Sequence, residues 1–419
     1  MRPVHAMSRA RGAMLGMAVG DALGAPLEGL GPQQIRTHYS LVEDYVDGAR
    51  AWRRKSDRWR VPGLYTDDTQ QALTVAETLI ECGEMQSVHL AEIWKRMYRT
   101  TVEESGVQLP NGVHRNIGRS FRLALEQLTA GHPMVSISQP SAGLGAATRV
   151  IPLAIAYRQD SDHLYHAVVE SSLLTHCDIR GIAAALAVAF ATARLLNGEE
   201  IRPSFPLQVA ADTARSESRL AQEFPDRIQG IDKHLHSISR CIAHVEKILE
   251  LPQDQAFAMI LDEARNHGPS VPCKRPTMGF APAALASCFY LLSISGDFHE
   301  GLIDIINQGG DADSTGAVLG AMSGAHFGVE GIPQDWLTPL CNREGIDSRA
   351  RALMTDSTKV DRKVIPDLVE TERNLCRQEI RYRQKIQAAL NLRDSTILDQ
   401  SVGNNPKISE IPPNSADQE

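Results

Sequence analysis

Two acidic clusters set far apart in the chain, Thr66-Asp67-Asp68-Thr69 and Gly309-Gly310-Asp311-Ala312-Asp313-Ser314-Thr315, constrain the fold more than any other feature. Each opens an apolar stripe at helical spacing: Ala72, Val75, Ala76, Leu79 and Ile80 behind the first, and Ala317, Val318, Ala321, Met322 and Ala325 behind the second. Asp, Ser and Thr at helix starts are ordinary caps that also suit the helix dipole. A cap needs one oxygen-bearing residue, whereas the two stretches offer four Asp and four hydroxyls. The surplus points to a divalent-metal site assembled from opposite ends of the chain.

Repulsion explains why a cation is wanted. Two carboxylates ~4 Å apart oppose each other by about 4 kcal/mol at an effective dielectric near 20. Hard cations such as Mg2+ prefer carboxylate, hydroxyl and water oxygens, and the lack of thiol or imidazole in either cluster argues against zinc. Asp311 and Asp313 cannot share a helical face, because residues two apart point about 200° away from each other. They converge if Gly309 and Gly310 make a tight turn, with Asp313 or Ser314 capping the helix that follows.

Helical periodicity runs almost throughout, and persuasive strand alternation is scarce. The pattern predicts helices over 9–23, 68–82, 87–100, 115–130, 144–158, 162–174, 179–197, 206–223, 226–249, 253–266, 280–294, 299–308, 314–327 and 333–341. Gly181, Ala184, Ala185, Val188 and Ala189 suit close packing in a central core helix. The fold class is all-α, a compact orthogonal multi-helix bundle. With 419 residues, 42% of them hydrophobic, the chain is long enough for one large domain plus accessories. A formal net charge of −8 argues against a nucleic-acid partner held by phosphate neutralisation. Seven scattered cysteines without a close-spaced pair read as reduced thiols of a cytoplasmic protein. The N-terminus lacks a signal-peptide core, and the longest apolar stretch, from 181 to 190, is short for a membrane span.

Three connecting regions stand out, at 44–65, 101–114 and 266–279. The first carries Arg50, Arg53, Arg54, Lys55, Arg58 and Arg60 interleaved with Trp52 and Trp59. It reads either as a rim loop for a diphosphate and an adenine ring or as a solvated loop whose indoles pack on the body. Beyond 345, Leu368, Leu375, Tyr382 and Ala389 recur every seven residues within 364–393. This helix either pairs with another subunit or lies on its own domain. The polar stretch 401–419 reads as a disordered tail.

Several segments in order resemble the ADP-ribosylglycohydrolase family. These are Gly12 to Gly16 leading into Gly20-Asp21 and Glu28; Tyr65-Thr66-Asp67-Asp68-Thr69-Gln70; Ser141 to Pro152; Thr175-His176-Cys177-Asp178; Gly309 to Gly316; and Gly324 to Gly328 with Ile332-Pro333 and Trp336-Leu337. The resemblance covers about 8–345. It implies a catalytic domain over 1–345, followed by a helical extension over 346–400. It also implies two Mg2+ ions, or Mn2+, held by Thr66, Asp67, Asp68, Asp311, Asp313 and Ser314, with Thr315 as the alternative hydroxyl. Asp67 would accept the proton of a water, with Glu28 next in line. Gly143, Gly145, Arg149 and His176 would bind substrate, Arg149 equally reading as a structural ion-pair residue and His176 as a structural histidine.

The function implied is metal-dependent removal of ADP-ribose from modified proteins, foremost from arginine. Serine-linked or small ADP-ribose conjugates are the alternative substrates. A different class is an immunity or binding protein that captures a toxin or its modified targets; a third is a phosphohydrolase acting on the diphosphate.

Overall fold

The computed structural model describes residues 5–53, 55–102, 109–269, 272–355 and 360–403, with side chains as far as 391. Its helices are, in order, α1 (Ala6–Gly24), α2 (Pro32–Tyr39), α3 (Asp67–Cys82), α4 (Ser87–Arg99), α5 (Arg119–Thr129), α6 (Ile151–Ala156), α7 (Ser161–Ser172), α8 (Ile179–Leu196) and α9 (Phe205–Glu223). Then follow α10 (Ile231–His234), α11 (Ser237–Val245), α12 (Gln253–Arg265), α13 (Ala281–Ile294), α14 (Phe298–Asn307), α15 (Ala312–Phe327), α16 (Gln334–Leu337), α17 (Arg343–Leu353) and α18 (Leu368–Gly403). The fold is all-α, and the described residues include only two isolated β-bridges, Gln139 with His176 and Asp178 with Gln229.

The pair α1 and α15 organises this bundle. Gly12, Gly16, Gly20 and Gly24 face Gly324, Gly320, Gly316 and Ala312, so the helices run antiparallel. A Cβ at any of the four α1 glycines would collide with a backbone carbonyl of α15. The seam therefore closes backbone to backbone, nearer than ordinary side-chain packing allows. It carries the end of α1, with Asp21 and then Glu28, to the start of α15, where Asp311 and Asp313 lie. The core helix α8 packs against α6, α7, α9, α13 and α15. By length and composition it could cross a membrane, yet 94% of it is buried inside the bundle.

Departures from the helical pattern have local causes. The stretch 144–158 splits into a 3-10 turn at Thr148–Val150 and the short α6, because Pro152 has no N–H to donate and sits at a helix start. Gly230 and His236, both in the left-handed region, break 226–249. Helix α5 starts only at Arg119, after Asn116 turns the chain with φ 50°. Helices α2 and α17 escape the pattern because each buries too few apolar residues to make a stripe.

Helix α18 lies on its own chain. Leu368 and Leu375 are buried, Tyr382 is half-buried and Ala389 is exposed, so contact with the body tapers along the helix. Its backbone continues to Gly403, and the rest of the tail lies outside the described residues, as does Arg54. All seven cysteines are free.

The seam predicts that Gly316→Ala destabilises the protein by roughly 2 kcal/mol or more, since neither backbone can yield without moving a whole helix. The check is the denaturation midpoint in urea at unchanged slope; a midpoint equal to wild type would contradict it.

Candidate metal centre

At the end of α1, Asp21 is fully buried and accepts hydrogen bonds from the Thr66 amide at 2.9 Å, the Thr69 amide at 3.0 Å and the Thr69 hydroxyl at 2.6 Å. Thr66 is the N-cap of α3 and accepts from the Asp68 amide at 3.3 Å. With the helix start satisfied by these two residues, the carboxylates of Asp67 and Asp68 are released from capping. The second cluster differs. Gly309 and Gly310 turn with φ 63° and 76°, and α15 begins at Ala312 with Asp311 as N-cap residue but without a side-chain capping bond. Neither Asp313 nor Ser314 caps the helix: Asp313 Oδ1 is buried without a hydrogen-bond partner, and Ser314 donates to Asp68 Oδ2 at 2.8 Å. Ordinary capping accounts for Asp21 and Thr66 and leaves four aspartates unexplained.

These four line a cleft of about 260 Å3 together with Glu28, Ser314, Gly143, Gly145, Arg149 and His176. Thr66 and Thr315 stand apart from it. The Thr315 hydroxyl turns back to the Asp311 carbonyl at 2.8 Å, so Ser314 is the hydroxyl offered to the cleft. Donors from several elements surround the carboxylates. Gln71 donates to Asp67 Oδ2 at 2.8 Å, Thr148 to Asp68 Oδ1 at 2.8 Å, and Asn116 to Glu28 at 2.7 Å and Asp313 Oδ2 at 3.4 Å. Arg58 forms an ion pair with Glu28.

Burial and mutual repulsion raise every aspartate of the group. Asp67 lies well above the usual range through burial and then Asp68, and Asp313 through burial and then Glu28. Asp68 is pushed up to about 8 by burial with Asp21 and Asp311, and Asp311 to about 6 by burial with Glu28. Buried carboxylates with one orphaned oxygen, and a donor set made only of oxygens, fit a hard divalent cation. A separate group of possible ligands, Cys241 on α11, Glu263 on α12 and His267 just beyond it, has its ligand atoms within 4.8 Å of one another and shares no residue with this cleft.

The substrate-side residues are placed differently. Arg149 is fully buried, donating to Gln71 at 2.7 Å, to Thr175 Oγ1 at 2.5 Å and to the Ser171 carbonyl at 2.9 Å, with its guanidinium over the Trp94 ring. Through Gln71 it steadies Asp67. Burial lowers the Arg149 pKa to about 9. Burial, with Arg149, holds His176 down to about 3, so the imidazole is neutral at working pH. Gly143 and Gly145 lie on the wall, Gly145 with its absent side chain facing the His176 ring.

The basic loop is spent mainly on the body. Trp59 is buried and donates to the Trp52 carbonyl at 2.9 Å, Trp52 donates to the Pro26 carbonyl at 3.0 Å, and Arg60 pairs with Glu379 at 2.7 Å. Among its described residues, Arg58 reaches the cleft through Glu28. Asp21 and Thr148 lie within the motif segments without an assigned role, and Gln71, Asn116 and Arg119 lie outside them. Gln71 carried a signal, four residues after Asp67 on the same face; Asn116 sits at a left-handed turn and Arg119 at the start of α5, within the stretch 115–130 that periodicity reads as one helix. Arg119 is exposed and lines both the cleft and an adjoining cavity of about 530 Å3.

Comparison with known proteins agrees with this geometry. The sequence profile of the ADP-ribosylglycohydrolase family matches residues 2–363. The ADP-ribosylarginine hydrolase Tri1 of Serratia proteamaculans is 27% identical over 351 residues, covering 83% of this chain and 80% of its own. The ADP-ribosyl-[dinitrogen reductase] glycohydrolase of Rhodospirillum rubrum is 25% identical over 79% of this chain and 90% of its own. A solved structure described as an ADP-ribosylglycohydrolase-related protein complex superposes with a TM-score of 0.58 at 28% identity, covering 84% of this chain and 98% of that one.

The raised aspartates set a pH dependence. A carboxyl whose folded pKa lies above its unfolded value of about 4 favours the fold at low pH, and that contribution is lost as pH rises through the folded value. For Asp311 and Asp68 the loss falls across pH 6 to 8. Added Mg2+ should therefore raise the melting temperature more at pH 8 than at pH 6, as read by differential scanning fluorimetry; an equal gain at both would contradict the assignment.

Proposed function

The chain belongs to the ADP-ribosylglycohydrolase family and is a hydrolase of that class, and from this premise we propose that it removes ADP-ribose from modified proteins, with arginine as the modified residue, in a reaction that needs Mg2+ or Mn2+. The observation that carries the reading is the gathering of Asp67, Asp68, Asp311 and Asp313 in one buried cleft, with Asp313 Oδ1 left without a partner. Arginine is favoured over serine or a small conjugate by the relative named above for ADP-ribosylarginine, and a protein target by the one named for dinitrogen reductase. Bovine ARH3, named an ADP-ribosylhydrolase, is matched at 24% identity. No observation favours capture of a toxin.

Asp67, Asp68, Asp311, Asp313 and Ser314 would hold the metal, which when bound orients a water and the ribose hydroxyls and lowers the water's pKa. Asp67 is the proton acceptor. Its Oδ2 is steadied by Gln71, whereas the Glu28 carboxylate is already engaged by Asn116 and Arg58. The bond between the anomeric carbon and the guanidinium nitrogen breaks with its electron pair going to nitrogen, the water oxygen bonds the carbon, and the proton that Asp67 takes from the water passes to the departing guanidine, which leaves as the arginine guanidinium. Arg119 and the amides near Gly143 and Gly145 would face the diphosphate.

Purified protein incubated with arginine-linked and serine-linked ADP-ribosyl peptides should release intact ADP-ribose from the arginine peptide, with Mg2+ and not with chelator, as read by mass spectrometry. Release of AMP or phosphate instead would sink the proposal. Asp67→Asn should lower kcat by roughly 10²-fold or more; retained activity there alongside a loss in Glu28→Gln would move the base to Glu28.

A further inference from the structure

The first acidic motif is gripped on both flanks by one buried carboxylate from the far end of the chain. Glu372, on α18, is fully buried. Its Oε1 accepts from the Tyr65 hydroxyl at 2.7 Å, and its Oε2 accepts from Gln70 Nε2 at 2.6 Å. Tyr65 and Gln70 are the residues on either side of Thr66-Asp67-Asp68-Thr69. Oε2 also forms an ion pair with Arg115 NH2 at 2.6 Å, both side chains being almost inaccessible. Burial opposes the Arg115 charge, and Glu372 together with Cys376, Tyr65 and Glu379 outweighs it.

Arg115 passes the constraint onward. Its amide donates to Gln70 Oε1 at 2.9 Å and its Nε to the Tyr65 carbonyl at 3.2 Å. The next residue, Asn116, is the donor to both Glu28 and Asp313. One carboxylate thus ties together the two flanks of the first cluster and the loop that reaches the second. The family match ends at residue 363, before Glu372.

We infer that Glu372 is a positioning residue of the metal centre, so that α18, outside the matched family region, completes the site by holding Asp67 and Asp68 in register with Glu28 and Asp313. The inference rests on the cleft being a metal centre. An unpaired Arg115 and two unsatisfied flanking donors would let the motif shift, and residues that orient ligands through hydrogen bonds commonly change metal affinity by 10- to 100-fold when removed.

The test is Mn2+ binding to the full chain, measured by electron paramagnetic resonance of free against bound ion, in wild type, Glu372→Ala and Glu379→Ala. Glu379 makes the other buried ion pair of α18, with Arg60 at 2.7 Å, and contacts neither Tyr65 nor Gln70, so it controls for loosening of the helix. Glu372→Ala should bind Mn2+ about 10-fold more weakly, and Glu379→Ala within about twofold of wild type. Should Glu372→Ala fail to fold, Tyr65→Phe, which removes a single donor, is expected to weaken binding about threefold while keeping its melting temperature within a few degrees. Wild-type affinity in Glu372→Ala, or in Tyr65→Phe where that replaces it, would overturn the inference and leave the metal centre standing. Equal losses in the Glu372 and Glu379 variants would also overturn it, as a general effect of the helix. No binding by wild type would remove the metal reading itself and this inference with it.

Discussion

Four glycines of α1 let the carbonyls of α15 come where any Cβ would collide, and this close approach fixes how near the two acidic clusters can lie. Because the helices run antiparallel, their register sets one height for Asp21 and the turn to Glu28 and the same height for Asp311 and Asp313. Carboxylates so placed repel, and only a scaffold that cannot relax apart will keep them together. The backbone seam supplies that stiffness, since it has no side chains to repack.

The charges are then managed by donors rather than by partner cations. Gln71, Thr148, Ser314 and Asn116 each bond a carboxylate of the cluster, and they come from α3, a 3-10 turn, α15 and a loop. Arg149 is turned under the wall and steadies Gln71 in place of neutralising an aspartate directly, and Arg58 pairs with Glu28 and not with an aspartate. Leaving the aspartates to hydrogen-bond donors preserves a site whose electrostatics call for a metal, and their raised pKa values express the same demand.

Much of this was legible in the sequence because it was repetitive or excessive. The surplus of oxygen-bearing residues at two helix starts, the Gly309-Gly310 turn and the core character of α8 are all visible in spacing and composition. The choice of Ser314 over Thr315 was not, since it depends on which hydroxyl turns back to the helix backbone. Asn116 and Arg119 were hidden for another reason: both fall in the stretch 115–130 that reads as one helix, and Asn116 works through a left-handed turn that one residue cannot announce. The indoles of the basic loop were ambiguous by composition, and packing decided them. Glu372 was the least legible, because a carboxylate on a charged helix carries no sign that it faces inward until its partners are known.

The seam also orders events in time. Helix α1 leaves a ribosome well before α15, yet the surface it must bury belongs to residues 312–327, and the carboxylate that grips Tyr65 comes later still. Contacts of such long sequence separation close a large loop before they return any free energy, which slows folding and leaves early segments waiting. During that wait the glycine face of α1 is an unpaired, weakly helical surface. A chain truncated between the two motifs would have the first without the second, so the protein can assemble its acidic cleft only as a late, nearly all-or-none step of its synthesis.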